Sequence, residues 1–431
     1  MENAAIENSY PITFRRNTSA QLGNHLKSRH SVVLIGMKRV GISNFLRFFL
    51  NHKDIADIYL DKSRKHLFIP VDLNDLVERE MFPFWTLVLK RIVDAVEKAP
   101  LDSRIKDYIE SLFMDSIQTQ DLFFTIDNVR KSLIKLVESD AIPTIFLLRF
   151  DRIKDMATPE FFANLQGLKD ASNQKLAYVF TSFRSLDMLE PSVFTKASLS
   201  LFSKDLYIKP AGKPDTKVIC ETYKNKYGFR LSETTEKNLF DLVDGYVQYL
   251  QLALIVLYEL KKEIADKQEL FYLLVNDERI ALQSEELWYS LEDYEREVLI
   301  KIAQGKNITN AEKGKAKYLW DTGFVNDGEG VKLFSPLLEY YIKQLGEKTQ
   351  NHPADFTKKE NVLFNYLVQN KEQICERENI VDAVWPEVEA LGVSDWAIDR
   401  LVARVRSKLK LQKSEFEVQT VKTRGYKLVS R

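Results

Sequence analysis

At 431 residues, with 45% hydrophobic and 29% charged side chains, the chain is too long for one ordinary core and too apolar for a disordered or fibrous protein. Its 62 basic and 62 acidic residues cancel, which excludes a protein that coats nucleic acid through its net field and leaves local charge to decide. Two distant cysteines, Cys220 and Cys375, exclude a disulfide framework and a cysteine-rich zinc site, and they point to a reducing, cytoplasmic setting.

The first ten residues are polar and acidic, without the basic start and apolar run of a secretory signal. The longest apolar run, residues 252–257, is far too short to span a bilayer, so no membrane partner is expected. The first third then alternates short apolar runs with helical patterns, the signature of a parallel sheet flanked by helices. Strands are expected at 31–35, 66–71, 144–150, 177–182 and 205–208, each rich in Val, Ile, Leu, Phe or Tyr and each ending at a polar turn. Helices at 43–51, 83–98 and 159–171 fill the gaps between them.

The first strand runs into Gly36-Met37-Lys38-Arg39-Val40-Gly41-Ile42-Ser43. Two glycines five apart, between a strand and a helix start, are the layout of a phosphate cradle. The cradle's chemistry asks for Gly-Lys-Ser/Thr, and here Ile42 stands where a lysine should meet the β- and γ-phosphates. The candidate nucleotide-binding residues are therefore a degenerate set: Gly36, Lys38, Arg39, Gly41, Ile42 and Ser43. The loop N–H groups and the helix dipole remain, Ser43 is placed to meet a metal, and Lys38 or Arg39 to swing toward a phosphate. The competing reading is a tight turn whose glycines serve packing alone.

The acidic pair that should hold Mg²⁺ is sought at the end of a later strand, in Ile145-Phe146-Leu147-Leu148-Arg149-Phe150-Asp151-Arg152. This run resembles the bacterial AAA-like/STAND-type ATPases, whose strand ends in Asp-Glu-Phe-Asp. Aligned on Phe150-Asp151, the family's Asp-Glu pair falls on Leu148-Arg149. Val71-Asp72-Leu73-Asn74-Asp75-Leu76, Phe180-Thr181-Ser182-Phe183-Arg184 and the eroded lid motif Asp244-Gly245-Tyr246-Val247-Gln248-Tyr249-Leu250 extend the resemblance over 11–282. It implies an α/β P-loop NTPase-like parallel sheet with a helical lid. Phosphoryl transfer rests on positioning and electrostatic stabilisation, so losing the lysine and both carboxylates implies a pseudo-ATPase with no catalytic residues and no resident metal. No cofactor is certain, and binding of ATP or ADP without hydrolysis stays open.

The organisation expected is a core at 1–212, a helical lid at 213–285, a first winged helix at 286–346, a linker at 347–354 and a final domain at 355–431. The first winged helix reads as helix 291–304, helix 311–322, then an Asn326-Asp327-Gly328 turn before 331–334. It carries Lys313, Lys315 and Lys317, but Asp327 and Glu329 in its hairpin suit DNA poorly.

The last domain reads helix, helix, helix, hairpin. Its third helix spans 395–409 after the cap residue Ser394, and Ile398, Leu401, Val402, Val405 and Leu409 share one stripe. Opposite lie Trp396, Arg400, Ala403, Arg404 and Ser407. Residues 355–399 carry a net charge of −6 and residues 400–431 a net charge of +8, which builds a basic edge on a neutral molecule. Phe356-Thr357-Lys358-Lys359-Glu360, Arg377-Glu378-Asn379-Ile380-Val381, Ser394-Asp395-Trp396-Ala397-Ile398-Asp399, Val402 through Leu409 and Val421-Lys422-Thr423-Arg424-Gly425-Tyr426-Lys427-Leu428 resemble the OmpR/PhoB-type winged helix of bacterial transcription regulators.

That resemblance implies double-stranded DNA as partner, with the third helix in the major groove. Arg400 and Arg404 would reach base edges, Arg406 a phosphate, and Lys422, Thr423 and Arg424 of the wing the backbone or minor groove. Trp396 departs from the polar residue common there; a thymine methyl or the preceding loop are its two expected contacts. The whole chain is expected to be a transcription regulator whose ATPase-like part is a scaffold, sensor or homo-oligomerisation unit. A nucleotide-gated switch, and a protein-interaction scaffold in defence or DNA maintenance, are the alternatives.

Overall fold

The computed structural model describes residues 6–189, 203–260, 263–328, 330–348, 356, 358–386, 395–412, 414–421 and 424–430. The chain packs into two compact units, one of residues 1–270 with 313–335, the other of residues 271–312 with 336–431.

In the first unit, β1 (Val32–Ile35), β2 (Lys65–Asp72), β3 (Ala141–Leu148), β4 (Ala177–Ser182) and β5 (Lys204–Tyr207) pair in parallel in the order β2-β3-β4-β1-β5. Strands β1 and β4 are buried throughout, which is why their sequences are unbroken apolar runs rather than alternating ones. The order places β1 between β4 and β5, the P-loop NTPase arrangement, so the loop after β1 emerges beside the ends of its neighbours. Helices α1 (Arg16–Lys27), α2 (Ile42–Asn51), α3 (Met81–Lys98), α4 (Ser103–Thr119), α5 (Leu122–Glu138) and α6 (Pro159–Ala171) accompany the sheet. Phe84, Trp85, Phe150, Phe161 and Phe180 fill one core cluster, with edge-to-face pairs such as Phe150–Phe180 at 5.0 Å. The third strand begins earlier and ends earlier than 144–150, because Arg149 turns into the left-handed region at φ 59° and closes it.

The lid consists of α7 (Lys213–Tyr227), α8 (Glu233–Val243) and α9 (Val247–Leu260). The hairpin β6 (Val325–Asn326) and β7 (Lys332–Leu333) belongs to the same unit. Phe334 lies 5.4 Å from the Tyr246 ring and 6.2 Å from Tyr249, and the Ser335 hydroxyl donates to the Leu242 carbonyl at 2.6 Å. The segment expected as one winged helix at 286–346 is thus divided between the two units. Its expected helix 311–322 is two short helices, Asn310–Lys315 and Lys317–Asp321, separated by Ala316 at non-helical dihedrals.

In the second unit lie α10 (Glu278–Tyr289), α11 (Asp293–Ala303) and α12 (Pro336–Lys348). There follow α13 (Lys358–Gln369), β8 (Ile374–Glu376), α14 (Arg377–Val384), α15 (Asp395–Leu411), β9 (Phe416–Val421) and β10 (Gly425–Ser430). The three strands form an antiparallel sheet in the order β8-β10-β9, which completes a winged helix. The stripe Ile398, Leu401, Val402, Val405 and Leu409 is buried in its core with Leu363, Leu367, Ile380, Tyr426 and Leu428. Each such aliphatic side chain contributes about 1.5–3 kcal/mol by leaving water. Gly425 is required where the wing passes β8, since a Cβ there would lie 2.1 Å from the Cys375 carbonyl oxygen at a φ of 154°. Among the described residues no helix is long and apolar enough to cross a membrane, and no cluster of metal-ligating side chains occurs.

Candidate functional site

The two glycines of the loop after β1 are closely approached by atoms of the loop and of neighbouring segments. Gly41 heads α2 at φ 105°, and a Cβ at that position would lie 2.7 Å from Cγ2 of Val247. A Cβ on Gly36 would meet Cγ1 of Val40 at 2.8 Å and the Ile208 carbonyl oxygen at 2.9 Å. Met37 and Val40 are fully buried, whereas Arg39 and Ser43 are exposed and Ile42 is half-buried.

Two loop carbonyls are held by side chains from elsewhere in the unit. The Tyr246 hydroxyl donates to the Lys38 carbonyl at 2.6 Å. The Arg15 guanidinium donates to the Lys209 carbonyl at 2.8 Å and the Val40 carbonyl at 3.4 Å. Burial pulls the Arg15 pKa down to about 10, with Asp215 opposing. The Lys38 ammonium sits 5.4 Å from the Phe183 ring centroid.

At the end of β3 the guanidinium of Arg149 forms an ion pair with Asp72 at the end of β2, while its N–H donates to Oγ1 of Thr181 at 2.7 Å. The Asp72 carboxylate at this edge is thereby paired with a cation. The carboxyl of Asp151 is raised by burial, with Lys38, Arg152 and Arg149 opposing. Arg184, at the end of β4, stacks 3.7 Å from the Tyr318 ring. Sequence reading missed the Asp72–Arg149 pair. The signal was present, because β2 and β3 are neighbours with Asp72 in register with Leu148, one residue before Arg149.

The recognition helix α15 carries the second set of candidates. Arg400 and Arg404, expected to reach base edges, are each engaged by side chains of their own unit. Arg404 is ion-paired with Glu285 of α10, and its Nε lies 3.2 Å from Oε1 of Glu360 on α13. Arg400 lies 3.1 Å from the centroid of the Tyr289 ring and 3.8 Å from Glu285. Their side chains keep 26% and 28% exposure, against 61% for Arg424 on the wing.

Burial pushes the Glu285 carboxyl above its usual range even though Arg404 and Arg400 oppose the shift. Burial also raises the nearby Tyr341 phenol, reinforced by Glu285 and Tyr289. Arg406, expected on a phosphate, spans helix and wing instead: its Nε donates to the Val418 carbonyl at 2.7 Å and a terminal nitrogen to Thr420 Oγ1 at 2.8 Å. Asp399 anchors the other side of the helix, pairing with Arg377 at 2.6 Å and accepting from the Tyr426 hydroxyl. Lys422 and Thr423 lie outside the described residues, as do the side chains of Trp396 and Ser407 and most of the expected linker at 347–354.

Residues 351–428 match the family described as "Transcriptional regulatory protein, C terminal". No curated protein matches the chain. Among solved structures, the Walker-type ATPase of Pyrococcus abyssi aligns at 15% identity and a TM-score of 0.45, over 78% of this chain and 99% of that one. The Aeropyrum pernix ORC2 protein in its ADP form aligns at 10% identity and 0.45, over 81% and 99%. The Aeropyrum pernix ORC1 protein in complex with DNA aligns at 14% identity and 0.40, over 81% and 96%. The first unit thus has the strand order of a P-loop NTPase-like fold, and residues 351–428 match the OmpR/PhoB-type C-terminal domain of transcriptional regulatory proteins.

Proposed function

We propose that the protein is a site-specific, cytoplasmic DNA-binding transcription regulator whose NTPase-like core acts without hydrolysing ATP, as scaffold, sensor or oligomerisation unit. The carrying observation is the family match over 351–428, together with a recognition helix whose buried stripe leaves Arg400 and Arg404 on the opposite face. In that reading the two arginines meet base edges, where a planar guanidinium matches guanine O6 and N7. Lys422, Thr423 and Arg424 contact the phosphate backbone, and Trp396 and Ser407 flank the base-reading pair. Arg406 positions the wing against the helix rather than touching phosphate, as its bonds to Val418 and Thr420 suggest.

Selection of bound genomic fragments by the full chain, followed by gel retardation, tests this reading. Arg404→Ala should weaken the selected site with loss of preference at one base position, while Lys422→Ala should weaken all sequences and flatten the salt dependence. Unchanged retardation by the double variant would refute it.

The loop's packing supports the pseudo-ATPase part. Val40 and Val247 crowd the two glycines, and Ile42 and Arg149 supply neither the phosphate-binding charge nor the metal-binding one. Mg²⁺-ATP should give no turnover above background. Hydrolysis that Ser43→Ala abolishes would overturn this part and leave DNA binding untouched. A nucleotide-gated switch is favoured by one observation, the exposure of Ser43 at the head of α2. A rise in melting temperature with ADP or ATP would establish it.

A further inference from the structure

The recognition face of α15 is occupied by α10, and the occupant is ordered along one stripe. Glu278, Leu282, Glu285 and Tyr289 follow the spacing four, three, four, which on a 3.6-residue helix puts them within an arc of about 60°. Each meets the winged helix. Glu278 pairs with Lys359, which also lies 4.8 Å from the Trp385 ring. Leu282 packs on the winged-helix core. Glu285 pairs with Arg404 and approaches Arg400, and the Tyr289 ring stacks on Arg400.

A carboxylate on a guanidinium and an aromatic ring against its face offer what a DNA duplex offers at a phosphate and at a base. The same two arginines cannot serve both partners at once.

We propose that the Glu278–Tyr289 helix is an internal competitor of duplex DNA, docked on Arg400 and Arg404, so that the full chain holds its recognition helix closed until the helix is released. This rests on the DNA-binding reading above. Two features make the docking exchangeable. Glu285 is only 5% exposed, and burying a carboxylate costs desolvation that offsets much of its attraction to the arginines, consistent with the upward pull on its carboxyl. Arg404 also retains Glu360 when α10 leaves, so its charge is not abandoned. The groups acting on Glu285 are Arg404 and Arg400 from α15 and Glu360 from α13, and Glu285 in turn acts on Tyr341 from α12.

If the docked form outweighs the open one by about tenfold, the apparent affinity for DNA falls by about the same factor, because only the open fraction binds. The test uses the full-length chain and a duplex selected as above. Glu285→Lys sets a like charge against both arginines, and Glu278→Lys, at the more exposed end, does the same to Lys359. Expected are about tenfold tighter binding for Glu285→Lys and two- to threefold for Glu278→Lys, both through loss of docking. In the native chain, amide exchange over 278–289 should accelerate when saturating duplex is added.

Equal affinity of native and Glu285→Lys chains, with exchange over 278–289 unchanged by duplex, would overturn the competition and leave the DNA reading standing. Binding of duplex by neither chain would overturn that reading and, with it, this inference. Should Glu285→Lys fail to fold, Glu278→Lys and the exchange experiment on the native protein decide between the same outcomes.

Discussion

The two surfaces that the sequence marks for ligands, the loop after β1 and the face of α15, are both covered by protein, but by different chemistry. At the loop, aliphatic side chains crowd the two glycines, Val40 at Gly36 and Val247 at Gly41, and Tyr246 and Arg15 bond its carbonyls. The helix face is met by a carboxylate and a phenol ring. Aliphatic contacts inside a close-packed core have no polar competitor and open only at the cost of a cavity. Ion pairs and cation–π contacts can be exchanged for equivalents on another molecule. In the reading proposed above, the crowded loop is a ligand site out of use and the charge-covered helix one held in reserve.

That contrast can be broken most directly at the arginines. Arg400→Ala with Arg404→Ala should cost about 100-fold in affinity for the selected duplex, at about 1–3 kcal/mol per lost bidentate contact, and leave melting of the core unchanged. Affinity reduced less than about threefold would place base reading elsewhere on the domain.

On the core side, Arg15→Ala leaves the Lys209 and Val40 carbonyls without their buried cation, while the backbone N–H bond to Asp215 remains. It should lower unfolding free energy by about 3 kcal/mol, read by denaturant titration, with no change in DNA affinity. A parallel loss of DNA binding would mean that the two regions are not separable as described.

Smaller still, Tyr246→Phe removes one hydrogen bond to the loop and should cost about 1 kcal/mol. If packing closes the loop, this variant still shows no ADP-dependent rise in melting temperature; a rise would show that the tyrosine alone was the lock.

The least perturbing probe is thiol chemistry. Cys220 is fully buried and pushed up to about 12, chiefly by burial, and Cys375 is also buried and raised. A raised thiol stays protonated below its pKa, so the native protein should not react with a disulfide reagent at pH 8, whereas the unfolded chain should release two equivalents.

Much of this was legible from residues alone. Strands β1, β3 and β4 announce themselves as doubly buried apolar runs, and the α15 stripe as one face of a helix whose charges lie opposite. The departures from the phosphate-loop and acidic-strand motifs are visible in Ile42 and Arg149, because those motifs specify charges at fixed positions. What was not legible depends on partners distant in sequence. The division of 286–346 between two units follows from Phe334 and Ser335 preferring the lid, which no local periodicity encodes. The stripe on α10 mixes Glu, Leu, Glu and Tyr, so hydrophobic patterning passes over it, and its meaning appears only once Arg400 and Arg404 are opposite. The family resemblance implies a phosphate contact for Arg406, and it carries no sign of the bonds its guanidinium makes to the wing.

In the proposed reading, DNA recognition is this chain's activity and the nucleotide loop does not control it. Affinity of the full-length protein for its selected duplex, measured side by side with and without Mg²⁺-ATP, tests that claim most directly. Equal dissociation constants in the two conditions, with binding lost in the Arg400→Ala/Arg404→Ala chain, are predicted. A tenfold or greater shift with ATP, or failure to select any duplex, would contradict it.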